Sequence, residues 1–136
     1  MEIHRLKHQH AQILDGIAAL RNLAHAGIQE HAQEIAKHIT ALSSVVKLHL
    51  AIEDRILCPT LQTGKNAALA AMSKTYQDDM KGIASAYIAF SRHWSSAEIV
   101  AEQAEQFRTE ANSVLKTLYT RVQKENAEFY PAIEAM

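Results

Sequence analysis

Residues that interrupt helices are scarce along this chain. Four Gly and two Pro stand among its 136 residues, and these are the two residue types least favourable inside a helix. The long stretches between them carry apolar residues three or four positions apart, a spacing that places them on one face of a helix. The sequence therefore predicts an all-α chain and argues against sheets, barrels and disorder.

Apolar stripes and turn residues divide the chain into four segments. The predicted helices span about residues 2–25, 29–58, 66–93 and 98–131. The second is predicted to end at Pro59, because proline cannot donate the next helical hydrogen bond. Long helices joined by short loops favour one domain over residues 1–136, folded as an antiparallel up-down-up-down four-helix bundle.

Composition narrows the choice of partners. Fourteen Lys and Arg offset fifteen Asp and Glu, which leaves a net charge of −1 and no basic field to favour nucleic acid or an anionic membrane. No apolar run approaches the roughly 18 residues that would span a bilayer, and the charged first residues do not resemble a signal peptide. One cysteine cannot form an internal disulfide. We expect a cytoplasmic protein without nucleic-acid or membrane partners, and stripes of this width suit either a monomer or a homodimer.

The end of the second helix recurs at the end of the fourth. Residues 48–59 align without a gap on residues 120–131, at the offset of 72 residues that separates Glu53 from Glu125. Each of these helices therefore carries a glutamate six residues before a proline. The bundle looks like a doubled helix pair.

The chemistry lies in the sequence His49-x-x-x-Glu53. Residues four apart share one helix face, and the apolar stripe assigns this face to the core. A carboxylate in a core must be protonated, paired with a cation or bound to a metal. Counting residues outward from the turns brings His10, Tyr76 and Glu125 close to the level of His49. One site built from four helices is predicted.

Together these residues resemble the hemerythrin-like, or HHE cation-binding, family over essentially the whole chain. The likeness is carried by an inward His10, by His49-x-x-x-Glu53 before a proline, and by the similar ending at Glu125. It implies a non-haem di-iron centre with histidines from all four helices and bridging carboxylates from the second and fourth. By this likeness the metal ligands would be His10, His49, Glu53 and Glu125.

Two departures make the chain a divergent member. The third helix offers no histidine at this level, only Tyr76 or Asp79 in its neighbourhood, and Arg121 replaces the histidine of the fourth helix. Arginine stays protonated and cannot bind a metal. Tyr130, just before the last proline, is expected to serve packing alone.

Two interpretations follow from the departures. In the first, one or two irons are held by His10, His49, Glu53, Glu125 and a tyrosine, either Tyr76 or Tyr119, since imidazole and carboxylate suit iron. In the second, Arg121 neutralises Glu53 and Glu125, and the chain is a metal-free regulatory or interaction bundle.

The leading functional expectation is an iron-binding protein. It would sense, store or detoxify O₂, nitric oxide, peroxide or iron at a centre inside the bundle, with a small diatomic molecule or peroxide as its ligand. A conventional enzyme is not expected and no residue is assigned as catalytic, although a non-haem iron oxidoreductase stays open. No nucleophile–base pair, Gly-rich phosphate loop or Cys-rich zinc pattern competes with this interpretation.

Overall fold

Helices make up the regular structure of residues 3–136, the part of the chain that the computed structural model describes. Their bounds are α1 at Ile3–Gly27, α2 at Ala32–Gln62, α3 at Ala67–His93, a short α4 at Ala97–Glu102, and α5 over residues 104–134. The predicted all-α fold is confirmed. Residue 2, where the first helix is predicted to begin, lies outside the described residues.

The four long helices pack as a bundle. Helix α1 contacts α2 and α5, and α3 contacts the same two helices, while the short α4 packs against α2 and α5. Helix α1 ends at Gly27, whose φ of +133° lies in a region that residues with a Cβ rarely adopt. The chain then reverses into α2.

The core consists of two hydrophobic clusters at different levels of the bundle. The larger contains Ile13, Val46 and Val122, and the smaller contains Leu6 and Phe129. Burial of each such side chain contributes about 1.5–3 kcal/mol to folding. Five buried polar residues of α1, α2 and α5 fall between the two clusters in sequence: Gln9, His10, His49, Glu53 and Glu125. They form a polar layer in the core.

Pro59 does not end the second helix, so that prediction is wrong. Residues Glu53–Leu57 form a π turn, in which the Cys58 N–H donates to the Glu53 carbonyl. Pro59 then lies in the first turn of the next α-helical segment, where a missing N–H is tolerated. The wider turn thus lets α2 continue to Gln62.

A second π turn occurs in α5. Residues Glu125–Phe129 form this turn, closed by the Tyr130 N–H and the Glu125 carbonyl, and the helix continues through Pro131 to Glu134. The fourth helix therefore ends later than the predicted residue 131. The predicted fourth helix is also split near its start, because α4 ends before Gln103 and α5 begins after it. The two π turns begin at the two repeated glutamates.

Helix α2 is the one described helix long and apolar enough to cross a membrane by length and composition, with a mean hydropathy of 1.2 in its best window. The expectation that no segment approaches this limit is therefore too strict. Ile35 and Ile39 on this helix are nonetheless fully buried in the bundle core. A core helix satisfies the same criterion, so it is weak evidence for a membrane span.

Candidate metal centre

Four side chains that can bind a metal meet in the polar layer of the core. His10 comes from α1, His49 and Glu53 from α2, and Glu125 from α5, and one ligand atom of each lies within 4.8 Å of the others. All four residues are at most 5% exposed. The structure thus brings together the four residues that the sequence analysis expected as metal ligands. Helix α3 contributes no residue to this group.

The spacing of these atoms fits a single ion. His10 Nε2 lies 3.1 Å from His49 Nε2 and 3.0 Å from Glu125 Oε1. His49 Nε2 lies 3.4 Å from Glu53 Oε1 and 3.9 Å from Glu125 Oε1. Ligands bound to one ion at about 2.0–2.2 Å lie about 3–4 Å from each other. The four distances therefore match those between ligands of one ion.

The outer nitrogen of each imidazole is held by an amide. His49 Nδ1 lies 2.9 Å from Gln9 Oε1, and His10 Nδ1 lies 2.7 Å from Asn126 Oδ1. An amide oxygen accepts hydrogen bonds and does not donate them, so each Nδ1 carries the proton. In this orientation Nε2 of each ring faces the centre, as it does in metal-binding histidines. Two Nε2 lone pairs 3.1 Å apart need a proton or a metal ion to relieve their repulsion.

Tyr130 is a further residue of this site that the sequence analysis missed, in addition to Gln9 and Asn126. Its hydroxyl donates to Glu53 Oε2 at 2.9 Å and lies 3.2 Å from His10 Nε2 and 3.4 Å from His49 Nε2. Its ring stacks on the His10 ring with 4.8 Å between centroids. The expectation that Tyr130 serves packing alone is therefore wrong, and its oxygen is a fifth donor within the cluster.

Tyr76, predicted as a ligand, lies beside the cluster rather than in it. Its ring is buried and stacks on Phe129, but its hydroxyl donates to Glu128 Oε2 at 2.8 Å. Of the other residues considered for the site, Tyr119 is 38% exposed and Asp79 is exposed on a surface cleft. The structure does not bring these three side chains to the centre.

Arg121 is buried next to the cluster and pairs with one carboxylate. Its Nη2 donates to Glu125 Oε2 at 3.3 Å and to the Tyr76 carbonyl at 2.7 Å, and its Cζ lies 4.5 Å from the centre of the Tyr76 ring. Glu53 instead contacts His49 and Tyr130. Arg121 therefore forms an ion pair with Glu125 but not with Glu53, the other glutamate that it was expected to neutralise.

The surroundings of the cluster shift the pKa values of the two glutamates in opposite directions. Burial raises the pKa of Glu125, but hydrogen bonds from His10 and His49 and the charge of Arg121 outweigh it and lower that pKa to about 2. Burial and the neighbouring charge of Glu125 raise the pKa of Glu53 above its usual value. The Glu125 carboxylate is thus the stable anion of the pair.

The same surroundings act on the other titratable groups. Burial lowers the pKa of His49, but hydrogen bonds and charge from Glu125 and Glu53 raise it to about 9. Burial, followed by the two carboxylates, raises the pKa of Tyr130. The cluster therefore retains a proton at neutral pH and favours a cation at its centre.

A helical bundle with two imidazoles and two carboxylates buried in one polar layer is a cation-binding domain in its fold and donor set. The family model for the hemerythrin HHE cation binding domain matches residues 1–133, and the chain belongs to this family. No curated protein and no solved structure matched the chain.

Proposed function

We propose that this protein binds non-haem iron through His10, His49, Glu53, Glu125 and Tyr130. The bound iron would sense, store or detoxify O₂, nitric oxide, peroxide or iron itself. The observation that carries the proposal is the 3.1 Å separation of the two Nε2 atoms, each facing the centre because its Nδ1 is held by an amide oxygen.

The donor set supports iron. Imidazole and carboxylate suit iron among several metals, and the phenol oxygen of Tyr130, once deprotonated by an ion, is a hard donor that favours the ferric state. Bound iron would supply a one-electron redox couple and a coordination position for a small ligand. The absence of sulfur donors from the cluster, within residues 3–136, supports iron over the thiolate-rich zinc sites.

The chain's own residues would prepare the site for the ion. Gln9 and Asn126 orient the two imidazoles, Arg121 holds Glu125, and Tyr130 holds Glu53 through the hydrogen bonds described above. The hydrophobic clusters on both sides of the polar layer exclude water, which strengthens the attraction between the carboxylates and a cation. Such an enclosed centre suits a small diatomic ligand or peroxide better than a large substrate.

Metal analysis and an absorption spectrum test the proposal. Protein made in iron-supplemented medium and oxidised in air should contain iron and show a visible iron–phenolate band. Tyr130→Phe should lose that band, whereas Tyr76→Phe should keep it, because the Tyr76 hydroxyl is bonded to Glu128. Wild-type protein that contains no iron, even after anaerobic reconstitution with ferrous iron, would contradict the proposal.

A second candidate is the metal-free regulatory or interaction bundle. It is favoured by one observation, which is that a protonated His49 and Arg121 supply two positive charges to the two glutamates. The cluster can then be neutral without an ion. The same metal analysis separates the two candidates, because this one expects colourless protein that neither binds iron nor changes stability when iron is added.

A further inference from the structure

Glu125 divides its two oxygens between different partners. Its Oε1 lies 3.0 Å from His10 Nε2 and faces the proposed metal position. Its Oε2 accepts a hydrogen bond from Arg121 Nη2 at 3.3 Å. A carboxylate that bridges two metal ions offers one oxygen to each ion, and here a guanidinium contacts the second oxygen.

We infer that the centre holds one metal ion, and that the guanidinium of Arg121 takes the place of a second cation on Glu125. The inference rests on the proposed function, since it concerns the same metal. It departs from the di-iron centre that the family resemblance implies.

The side of Glu125 occupied by Arg121 lacks donors for another ion. The other six histidines of the chain are not buried, and the neighbouring Tyr76 directs its hydroxyl to Glu128. The Tyr76 carbonyl oxygen, which does face this side, already accepts a hydrogen bond from Arg121 at 2.7 Å. Asp79 lines a surface cleft together with Arg121, but it is exposed and makes no contact with Glu125 among those described. Among buried residues, a second ion would therefore have Glu125 Oε2 as its one ligand.

Arg121 is enclosed in this position. The residue is 6% exposed, and its Cζ lies 4.5 Å from the centre of the Tyr76 ring. Its Nη2 donates to both Glu125 and the Tyr76 carbonyl, while its buried Nε has no hydrogen-bond partner among the described residues. Arginine keeps its positive charge throughout the range of pH in which proteins fold. The charge beside Glu125 is therefore permanent.

Charge balance also limits the centre to one ion. Two carboxylates, the Tyr130 phenolate and the Arg121 guanidinium sum to a charge of −2, which a single divalent ion brings to zero. A second divalent ion would raise the charge to +2 in a site with little water, where uncompensated charge is strongly unfavourable. The permanent charge of Arg121 thus selects against a dinuclear centre.

Anaerobic titration with Co²⁺, followed by its visible spectrum and by metal analysis after gel filtration, tests the inference. Wild-type protein should bind one equivalent per chain. Arg121→Gln should bind Co²⁺ at least tenfold more tightly, because a repelling charge is removed. Arg108→Gln, which removes an exposed arginine, should match the wild type.

The outcomes of the titration distinguish the single-ion inference from the proposed metal binding. Two equivalents on the wild type, or unchanged or weaker binding by Arg121→Gln, would overturn the inference while leaving metal binding intact. No binding by the wild type would overturn the proposed function and this inference with it. If Arg121→Gln does not fold, as circular dichroism would reveal, the wild-type stoichiometry decides the question.

Discussion

The two buried glutamates should respond in opposite ways to the same substitution in the metal-free protein. Replacing either with glutamine keeps the size of the side chain and removes its negative charge. Glu125 is stabilised as an anion by His10, His49 and Arg121, whereas burial and Glu125 disfavour the charge on Glu53. The substitution therefore removes a favourable charge at one position and an unfavourable one at the other.

The magnitude follows from the pKa values. The pKa of Glu125 falls from 4.5 to about 2, and each unit corresponds to about 1.4 kcal/mol. Glu125→Gln should therefore lower the free energy of unfolding at pH 7 by about 3 kcal/mol. Glu53→Gln should leave it unchanged within about 1 kcal/mol or raise it, because its amide oxygen can still accept the Tyr130 hydroxyl.

Urea unfolding of chelator-treated protein measures both effects. A carboxyl whose pKa is depressed by folding contributes its full stability above the unfolded pKa, here 4.5, and loses it as the pH falls toward about 2. The difference between wild type and Glu125→Gln should therefore shrink over this range. Equal losses for the two variants, or a larger loss for Glu53→Gln, would refute the assignment of Glu125 as the stable anion.

Three further predictions concern the metal, its support and the core. Since His49 has a pKa of about 9 and must lose its proton to bind an ion, as must Tyr130, metal affinity should rise at least tenfold per pH unit from pH 7 to 9, and a flat profile in a chelator competition assay would contradict this. Gln9→Leu should weaken metal binding about 10–100-fold, measured by the same competition, whereas Gln12→Leu on the exposed face should not. Ile39→Ala, at a fully buried position, should lower the free energy of unfolding by about 2–5 kcal/mol in urea without changing the metal stoichiometry.

Much of the centre can be predicted from the sequence because it lies on regular helix. His10 fills a gap in an apolar stripe, and His49 and Glu53 share one face four residues apart, so helical periodicity places all three inward. The repeat then transfers the position of Glu53 to Glu125. The height of each residue along the bundle can be counted from the turns without side-chain detail. This count predicts that the four residues lie near one level, where the structure places them.

The π turns explain why Tyr130 could not be predicted in the same way. With α-helical spacing, the residue one turn beyond Glu125 is Phe129, four positions later. The π turn that begins at Glu125 adds a residue to that turn, and the side chain that reaches the cluster is the one five positions later. The repeated Glu and Pro mark these turns in the sequence, but they do not reveal an irregular helix.

The contacts of Tyr76 and Arg121 depend on packing that periodicity does not describe. The sequence predicts the correct level for Tyr76. Its hydroxyl nevertheless donates to Glu128, and its ring packs against the Arg121 guanidinium. Arg121 in turn can reach Glu125, one turn along its own helix, while Glu53 on α2 is bonded to His49 and Tyr130. A sequence pattern gives the face and height of a side chain but not its rotamer.

An anomalous difference map at the iron absorption edge, from crystals grown with ferrous iron, tests the convergence of these side chains most directly. The account predicts one strong peak per chain, about 2.0–2.2 Å from His10 Nε2 and His49 Nε2, with Glu53, Glu125 and Tyr130 also bound to it. A second peak on the Arg121 side of Glu125 would contradict the single-ion centre. A map without a peak between the two imidazoles would contradict the metal site itself.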